Sequence, residues 1–212
     1  MLKLLAAVVA VLVLPGVAVA ATLDYTEDFT GQNGKGAIDD SMDTSGVDWS
    51  IDVSQAGFAN ANDFFQVVDG VFTAQDIGGI AVWTSPGISN TAGSLLELTV
   101  DVGGDNNHES GDFLIVAYSV DGGSTFDDFY SFFGTDGDST ESRFFDAPTG
   151  TAQTTVTTTG LDLLIRVTVA NNTGAEIMTF DNVSAVAIPE PFAVSAGMLG
   201  LAGLMLRRVK TA

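Results

Sequence analysis

A two-residue alternation of apolar and polar side chains is the feature that most constrains the fold of this chain. Apolar residues occupy every second position from Leu96 to Val102 and again from Leu163 to Val169. This period is typical of β-strands with one buried face, and few windows show the 3.6-residue period of a helix. Phe113 to Val120 is apolar at nearly every position, which indicates a strand in the middle of a sheet.

Turn sequences separate these predicted strands. Asp69-Gly70 lies within Phe64–Gln75, and Asp-Gly favours a two-residue hairpin because both positions take positive φ. Asp121-Gly122-Gly123 predicts a second hairpin, and Asn171 to Gly174 predicts a third before the strand that starts near Glu176. Together these signals predict an all-β fold, an antiparallel sandwich covering residues 21–188.

A threonine-rich stretch from Thr149 to Thr159 allows two interpretations. It could be an O-glycosylated linker, or it could be a strand at the edge of a sheet, since Thr is a good strand former. The regular strand pattern that follows directly from Leu161 to Val169 favours the edge strand.

The charge and the missing cysteines limit the possible functions. The chain has 27 acidic and 7 basic residues, a formal net charge of −20, and no cysteine. Repulsion between like charges argues against nucleic acid and anionic lipid as direct partners. The lack of thiols excludes a disulfide framework, a thiolate zinc site and a cysteine nucleophile. Calcium is the cofactor that such acidity suits, because it prefers carboxylate oxygens.

Residues 1–20 have the composition of a secretory signal peptide. Lys3 provides the positive start, Leu4 to Leu14 is an unbroken apolar run, and Ala18-Val19-Ala20 matches a signal peptidase cleavage site. We therefore expect an N-terminal signal helix that is removed on export.

A second apolar run, Phe192 to Leu206, lies near the C-terminus and is followed by Arg207 and Arg208. As a helix its fifteen residues would rise about 22 Å, less than the roughly 30 Å of a bilayer core. It predicts a short transmembrane helix that spans only with local thinning, the arginines remaining on the cytoplasmic side.

The triplet Pro189-Glu190-Pro191, the apolar segment and the terminal arginines together resemble the PEP-CTERM sorting signal over residues 189–212. That resemblance implies export from a Gram-negative bacterium and processing at the triplet by an exosortase. It also implies association with the cell surface or with exopolysaccharide, and it says nothing about the activity of the body.

The second hairpin resembles an Asp-box, in which an aspartate caps backbone donors of the turn and an aromatic ring packs beneath it. The matching residues are Ser119, Asp121, Gly123, Thr125 and Phe126. Sialidases carry several such boxes, but their chemistry needs clustered arginines, and the body has only two. The resemblance therefore points to a secreted jelly-roll module, with the box in a structural role.

The first and last predicted strands of the body resemble those of MAM-like and carbohydrate-binding jelly rolls. Asp24 to Phe29 provides an acidic opening that ends in phenylalanine, and Phe180 to Val183 provides the closing sequence. The resemblance implies that these strands lie together and hold a structural calcium ion, with Glu27, Asp28, Asp181 and Asp76 as ligands. Surface acids without a metal are the alternative.

Sugar binding needs exposed aromatic rings, and the candidates are Trp49, Phe129 and Tyr130, together with the neighbouring Phe132-Phe133. Packing in the core is the competing interpretation. His108, the only histidine, lies in a polar loop and is expected on the surface.

Two hypotheses of function follow. The first is a non-catalytic protein of the surface or matrix that binds extracellular polysaccharide, with calcium as a structural ion. The second is a polysaccharide-acting hydrolase or lyase on the same fold, which would require two carboxylates across a cleft. A third possibility, a structural component of the matrix, differs from the first only in having no ligand.

Overall fold

The computed structural model describes residues 23–39, 41–105, 108–135 and 147–189, and Thr22–Ile188 form one compact unit. The predicted signal helix and the predicted transmembrane helix lie outside the described residues. No helix in the part of the chain that is described is long and apolar enough to cross a membrane.

Thirteen strands occur among the described residues, in the following order: β1 (Asp24–Glu27), β2 (Gly36–Ile38), β3 (Ser41–Asp43), β4 (Ser50–Gln55), β5 (Phe64–Val68), β6 (Val71–Gln75), β7 (Gly79–Thr84), β8 (Leu95–Gly104), β9 (Phe113–Ser119), β10 (Asp127–Phe133), β11 (Gly150–Thr157), β12 (Leu164–Asn171) and β13 (Ile177–Ala187).

The strands form two antiparallel sheets. The large sheet has eight strands in the order β11-β8-β13-β6-β5-β2-β3, with β1 also paired to β13, and the small sheet has the order β10-β9-β12-β7-β4. The predicted all-β antiparallel sandwich is therefore confirmed. Strands β6 to β13 pair as one long hairpin wrapped on itself, namely β6 with β13, β7 with β12, β8 with β11 and β9 with β10. Two four-stranded sheets connected in this way have the strand order of a jelly roll.

The alternation predicted from sequence agrees with the burial of side chains. Leu96, Leu98 and Val100 are fully buried in β8, and Ile165 and Val167 are fully buried in β12. These residues fill the space between the sheets, as the inner faces of a sandwich must.

Aromatic rings occupy the centre of this core. Phe72 and Phe180 stack with their centroids 4.7 Å apart, and Phe29 and Trp83 meet Phe180 edge-on at 5.6 and 5.5 Å. All four side chains are essentially inaccessible to water. Offset and edge-to-face contacts of this kind add to the stabilisation that apolar burial already provides.

Two predicted turns are confirmed and a third is wrong. Asp69 and Gly70 join β5 to β6 with φ of 52° and 83°, and the Asp121 turn joins β9 to β10. Asn171 to Gly174, however, connect β12 in the small sheet to β13 in the large sheet, so this segment is a crossover between sheets.

The threonine-rich stretch forms β11, which pairs with β8 and ends the large sheet. The interpretation of this stretch as an edge strand is confirmed.

Candidate functional site

The four predicted calcium ligands divide into two separate groups. Asp181 is opposite Asp101 in the β13–β8 register, and its pKa is raised by burial and by the charges of Asp28 and Asp101. Asp76 belongs to a different group, because its pKa is raised by burial and by the charges of Asp63 and Glu176. The prediction that Asp76 joins the terminal strands is therefore wrong.

Glu27 is occupied by the turn that follows β1. Its Oε1 accepts the N–H of Phe29 at 2.8 Å and the amide of Gln32 at 2.9 Å. The Oε1 of Gln32 in turn accepts the indole N–H of Trp49 at 2.8 Å. Glu27 thus fixes the turn and, through Gln32, the orientation of Trp49.

Asp101 and Asp28 are also engaged within the protein. Asp101 accepts hydrogen bonds from the hydroxyl of Thr151 at 2.6 Å and the amide of Asn182 at 2.9 Å, and Asp28 accepts the N–H of Thr30. Among the described residues, no three Asp, Glu or His side chains are arranged to hold a metal ion. The calcium site at the terminal strands therefore stays a prediction.

The predicted sugar-stacking residues are largely buried. Trp49 is 3% exposed and packs against Phe72 at 5.4 Å, so its ring cannot meet a ligand and this assignment is wrong. Phe129 and Tyr130 are partly buried and pack against the core. Packing in the core, the competing interpretation, is therefore correct for Trp49. It also accounts for most of the surface of Phe129 and Tyr130.

The exposed aromatic residue of this region is Phe133, at the end of β10, with 60% of its surface accessible. It lies opposite Phe113 of β9, and the two rings are tilted by 47° with centroids 6.3 Å apart. We call this pair the aromatic ledge. The same cross-strand row continues through Ala170 of β12 to Ile80 of β7 on the outer face of the small sheet.

An open cleft of about 330 Å³ adjoins the aromatic ledge at this end of the small sheet. Its lining consists of the beginnings of β7 and β9 and the end of β12, namely Gly78, Gly79, Ile80, Gly111, Asp112, Phe113, Ala170, Asn171 and Asn172. We call it the end cleft. Most of the lining is apolar or glycine, with a few polar groups, which is the usual composition of a small-ligand site.

Glycine is required on the side of the end cleft formed by β7. A Cβ on Gly79 would collide with the carbonyl oxygen of Gln55, and a Cβ on Gly78 would lie 2.9 Å from the carbonyl oxygen of Gly57. The backbones of these segments approach so closely that only glycine fits.

Asp112 lies at the floor of the end cleft and is 1% exposed. Its Oδ2 accepts the N–H of Glu109 at 2.8 Å, and its Oδ1 has no hydrogen-bond partner among the described residues. Burial raises the pKa of Asp112 to about 6, with further contributions from the charges of Glu176 and Glu109. The backbone also ties this floor to the ledge, because the N–H of Gly134 donates to the carbonyl of Asp112 at 2.9 Å.

His108 lies directly behind Asp112 and is fully buried, so the expectation of a surface histidine is wrong. Its Nε2 is 3.3 Å from Asp105 and its Nδ1 is 3.8 Å from Asp112, while its ring meets Phe132 edge-on. Burial lowers the pKa of His108 and outweighs the opposing charges of Asp105 and Glu176. The imidazole is therefore neutral at pH 7 and fills space beneath the cleft.

The hairpin between β9 and β10 is held by its own side chains. The hydroxyl of Ser119 accepts the N–H of Gly123 at 2.8 Å, and Asp121 accepts both the N–H and the hydroxyl of Thr125. These bonds hold the pKa of Asp121 down, at about 2. Phe126 lies against the guanidinium of Arg166, 3.8 Å from its ring centroid. The box residues are thus engaged in holding the turn.

Of the predicted sorting residues, only Pro189 is described. It follows the end of β13 and is exposed. Glu190, Pro191, Arg207 and Arg208 lie outside the described residues, so the sorting signal and its partners stay predictions.

No protein-family model and no curated protein matches this chain. Among solved structures, the K3 adhesin domain of Lys-gingipain from Porphyromonas gingivalis has 12% identity and a TM-score of 0.43, with 76% of this chain and 98% of that chain covered. A domain described as CBM4 has 10% identity and a TM-score of 0.39, with 66% and 95% covered. A CBM61 domain in complex with β-1,4-galactotriose has 11% identity and a TM-score of 0.34, with 77% and 92% covered. The fold assignment rests on the strand pairing alone.

Proposed function

We propose that this chain is an exported, non-catalytic protein of the cell surface or exopolysaccharide matrix that binds polysaccharide on the outer face of its small sheet. The observation that carries the proposal is the aromatic ledge beside the end cleft. Phe133 keeps 60% of its surface in water at a fixed position on a strand. An aromatic ring held in this way is a ready surface for the apolar face of a sugar ring.

The surroundings of the ledge suit a sugar better than a wholly apolar ligand. The end cleft of about 330 Å³ is large enough for a small ligand unit. Asn172 is exposed at its rim, and so are Gly78 and Gly111. The side-chain amide of Asn172 can bond sugar hydroxyls while the rings of the ledge contact the apolar face of the sugar.

The net charge indicates which polysaccharides are favoured. At a formal charge of −20 the chain repels polyuronates and other anionic polymers, most strongly at low ionic strength. We therefore expect neutral polysaccharides to bind in preference to acidic ones.

Affinity electrophoresis of the full chain through gels that contain a β-glucan, a galactan or a polyuronate tests this function. We expect a neutral polysaccharide to retard the protein, and Phe133→Ala to weaken binding about tenfold, the effect of roughly 1.4 kcal/mol. Met42→Ala is the matched control, because Met42 is 61% exposed on β3 of the other sheet. No retardation by any polymer, or equal loss in both variants, would exclude the ledge as a binding site.

The proposed route to the surface uses both ends of the chain. Signal peptidase removes residues 1–20, the segment after the triplet holds the protein in the membrane, and an exosortase then processes the triplet. Pro189 is exposed two residues after the end of β13, which supports processing at the triplet, since an enzyme can reach it without unfolding the sheet. Replacing Glu190 by Ala should leave the protein membrane-bound and unprocessed, which the mass of the mature protein would show.

A polysaccharide-acting enzyme is the second candidate, and one observation favours it. Asp112, a carboxyl group with a pKa of about 6, lies at the floor of the end cleft. Glycoside hydrolysis needs two carboxyl groups across the scissile bond, and Asp112 is the one carboxylate in the described lining. Release of reducing sugar by the wild type, abolished by Asp112→Asn with binding retained, would favour the enzyme over the binding protein.

A further inference from the structure

The edge strands of the two sheets differ in how they are protected from pairing with a strand of another molecule. An edge strand presents unpaired N–H and C=O groups, and proteins protect such edges with short strands, charges or bulges. The large sheet ends in β11 and β3, with a further edge at β1 beside β13, and the small sheet ends in β10 and β4.

All of these edges except β11 carry protection. Strand β1 has four residues, with Asp24 at its start and Glu27 at its end. Strand β3 has only three residues and includes Asp43, which is paired with Lys35. Strand β10 begins with Asp127 and Asp128 and has a bulge directly after them. Strand β4 contains Asp52, after which its register shifts.

Strand β11 carries none of these devices. Its eight residues, Gly-Thr-Ala-Gln-Thr-Thr-Val-Thr, contain no charge and no proline, and every one pairs with β8 without a register shift. Within the described part of the chain, β8 is the strand to which β11 is hydrogen-bonded. An uncharged, regular strand rich in β-branched residues is well suited to accept a further strand.

The hydrogen bonds of β8 show which groups of β11 face outward. The carbonyl of Leu95 accepts the N–H of Ile188, so the odd-numbered residues of β8 bond to β13. The even-numbered residues of β8 therefore bond to β11, and the residues of β11 opposite them are also even-numbered. The bond from the N–H of Thr158 to the carbonyl of Ser94 agrees with this alternation. The backbone groups of Gln153 and Thr155 therefore point away from β8, to the open side.

We propose that β11 is a self-association edge, and that its occupant is β11 of a second copy of this chain. Antiparallel pairing about a two-fold axis at Thr154 places Gln153 opposite Thr155 of the second copy, and Ala152 opposite Val156. Every cross-strand pair in this arrangement is uncharged, whereas antiparallel pairing of β10 with itself would bring acidic strands together. A continuous sheet then runs through both copies.

The net charge makes this association dependent on salt. Each copy has a formal charge of −20, and Glu97 and Asp101 lie on the strand next to β11. Their repulsion opposes dimerisation at low ionic strength and is screened above about 0.1 M salt. Dimerisation should therefore strengthen as salt is added.

A single introduced cysteine tests the pairing, because the chain has no cysteine of its own. In the proposed dimer the two Thr154 residues form a non-hydrogen-bonded pair, about 4.5 Å apart at Cα, close enough for a disulfide. We expect full-length Thr154→Cys, under mild oxidation, to form a linked dimer about tenfold faster than Ser131→Cys on β10, because pairing raises the local thiol concentration. Equal rates for the two variants would overturn the proposal.

A proline at position 153 distinguishes dimerisation through backbone hydrogen bonds from dimerisation through side-chain contacts. In the Thr154→Cys background, Gln153→Pro removes an outward N–H and leaves the backbone bonds to β8 in place, although the side-chain bond from Gln153 to Glu97 is lost. Gln153→Ser is the matched control, since it changes the same side chain and keeps the N–H. We expect proline to abolish the linked dimer and serine to preserve it. Persistence of the dimer in the folded proline variant would contradict pairing through the backbone.

Discussion

Replacing Asp112 by Asn should stabilise the protein at neutral pH, and this gain should be lost as the pH falls toward 4. Asp112 is buried at the floor of the end cleft, and its pKa is raised from the ordinary value of 3.8 to about 6. The folded protein therefore binds this proton more tightly than the unfolded chain does. The stability that the group contributes is fully present below pH 3.8 and is lost as the pH rises through 6.

The size of the effect follows from the pKa difference. The gap between 3.8 and about 6, at about 1.4 kcal/mol per pH unit, corresponds to roughly 3 kcal/mol of destabilisation at pH 7.5. An asparagine would escape this cost and could keep the bond from Glu109, but its amide would lack a partner, at a cost of about 1–2 kcal/mol. A net gain of about 1–2 kcal/mol raises the Tm by about 4 °C in a domain of this size.

Urea denaturation of wild type and Asp112→Asn between pH 5 and pH 8 measures this difference. The difference in the free energy of unfolding should shrink as the pH falls, because the wild-type carboxyl becomes neutral. Asp127→Asn on β10 is the matched control, since it removes one exposed negative charge at the edge of the same sheet. It should leave the stability within about 0.5 kcal/mol of wild type at every pH.

A loss of stability in Asp112→Asn at pH 7.5 would refute this reasoning. The Nδ1 of His108 lies 3.8 Å from Asp112, and a protonated imidazole would make the carboxylate the favoured form. Such a result would mean that His108 is charged in the fold and that the two residues form a buried ion pair. Removing one partner of a buried pair costs about 3–5 kcal/mol, so the two outcomes differ in sign and are easily distinguished.

Three further predictions concern the core and the acidic strands. Phe180→Ala should lower the free energy of unfolding by about 3–5 kcal/mol in urea titrations, because Phe180 is 1% exposed and stacks on Phe72. Asp181→Asn should stabilise the fold by about 0.5 kcal/mol at pH 7 and low salt, since it removes a charge directly opposite Asp101. Added salt should reduce this gain. Calcium and magnesium at equal ionic strength should raise the Tm equally through screening, and a rise with calcium alone would reveal an ordered ion site.

Local signals were sufficient to predict part of the strands, among them β8 and β12. The alternation from Leu96 to Val102 arises in any strand with one buried face. The Asp69-Gly70 turn requires only two adjacent residues that tolerate positive φ. Both depend on residues that are close in sequence, so the pattern indicates the structure wherever the partner strands lie.

The wrongly predicted hairpin at Asn171 shows what local signals omit. The side chain of Asn171 accepts the N–H of Ile77 at 2.9 Å and donates to the carbonyl of Ala74. These bonds join segments more than 90 residues apart and carry the chain from the small sheet to the large one. The same turn sequence can precede a strand that pairs with the previous strand or a strand that joins the other sheet, so it does not predict which of the two occurs.

The aromatic assignments failed for a different reason. A bulge between Asp128 and Tyr130 shifts the register of β10 by one residue, and a shift of one residue exchanges the two faces of a strand. Tyr130 is consequently opposite buried Val116, and Phe133 is opposite Phe113 on the outer face. Nothing in Asp-Asp-Phe-Tyr identifies the bulge, so the sequence could list the aromatic residues without showing which one faces water.

The binding and pairing proposals together predict that avidity depends on β11. Strand β10, which carries Phe133, is the strand before β11 in the chain, and these two strands end the small and the large sheet, respectively. A dimer joined through β11 therefore presents two aromatic ledges, and a long polymer can occupy both. Occupying two linked sites can strengthen binding by about 10²–10⁴-fold, whereas a short oligosaccharide gains nothing. Gln153→Pro should thus weaken binding to polysaccharide and leave the affinity for a trisaccharide unchanged. Equal affinity of the wild type and this variant for the polymer would show that each copy binds alone.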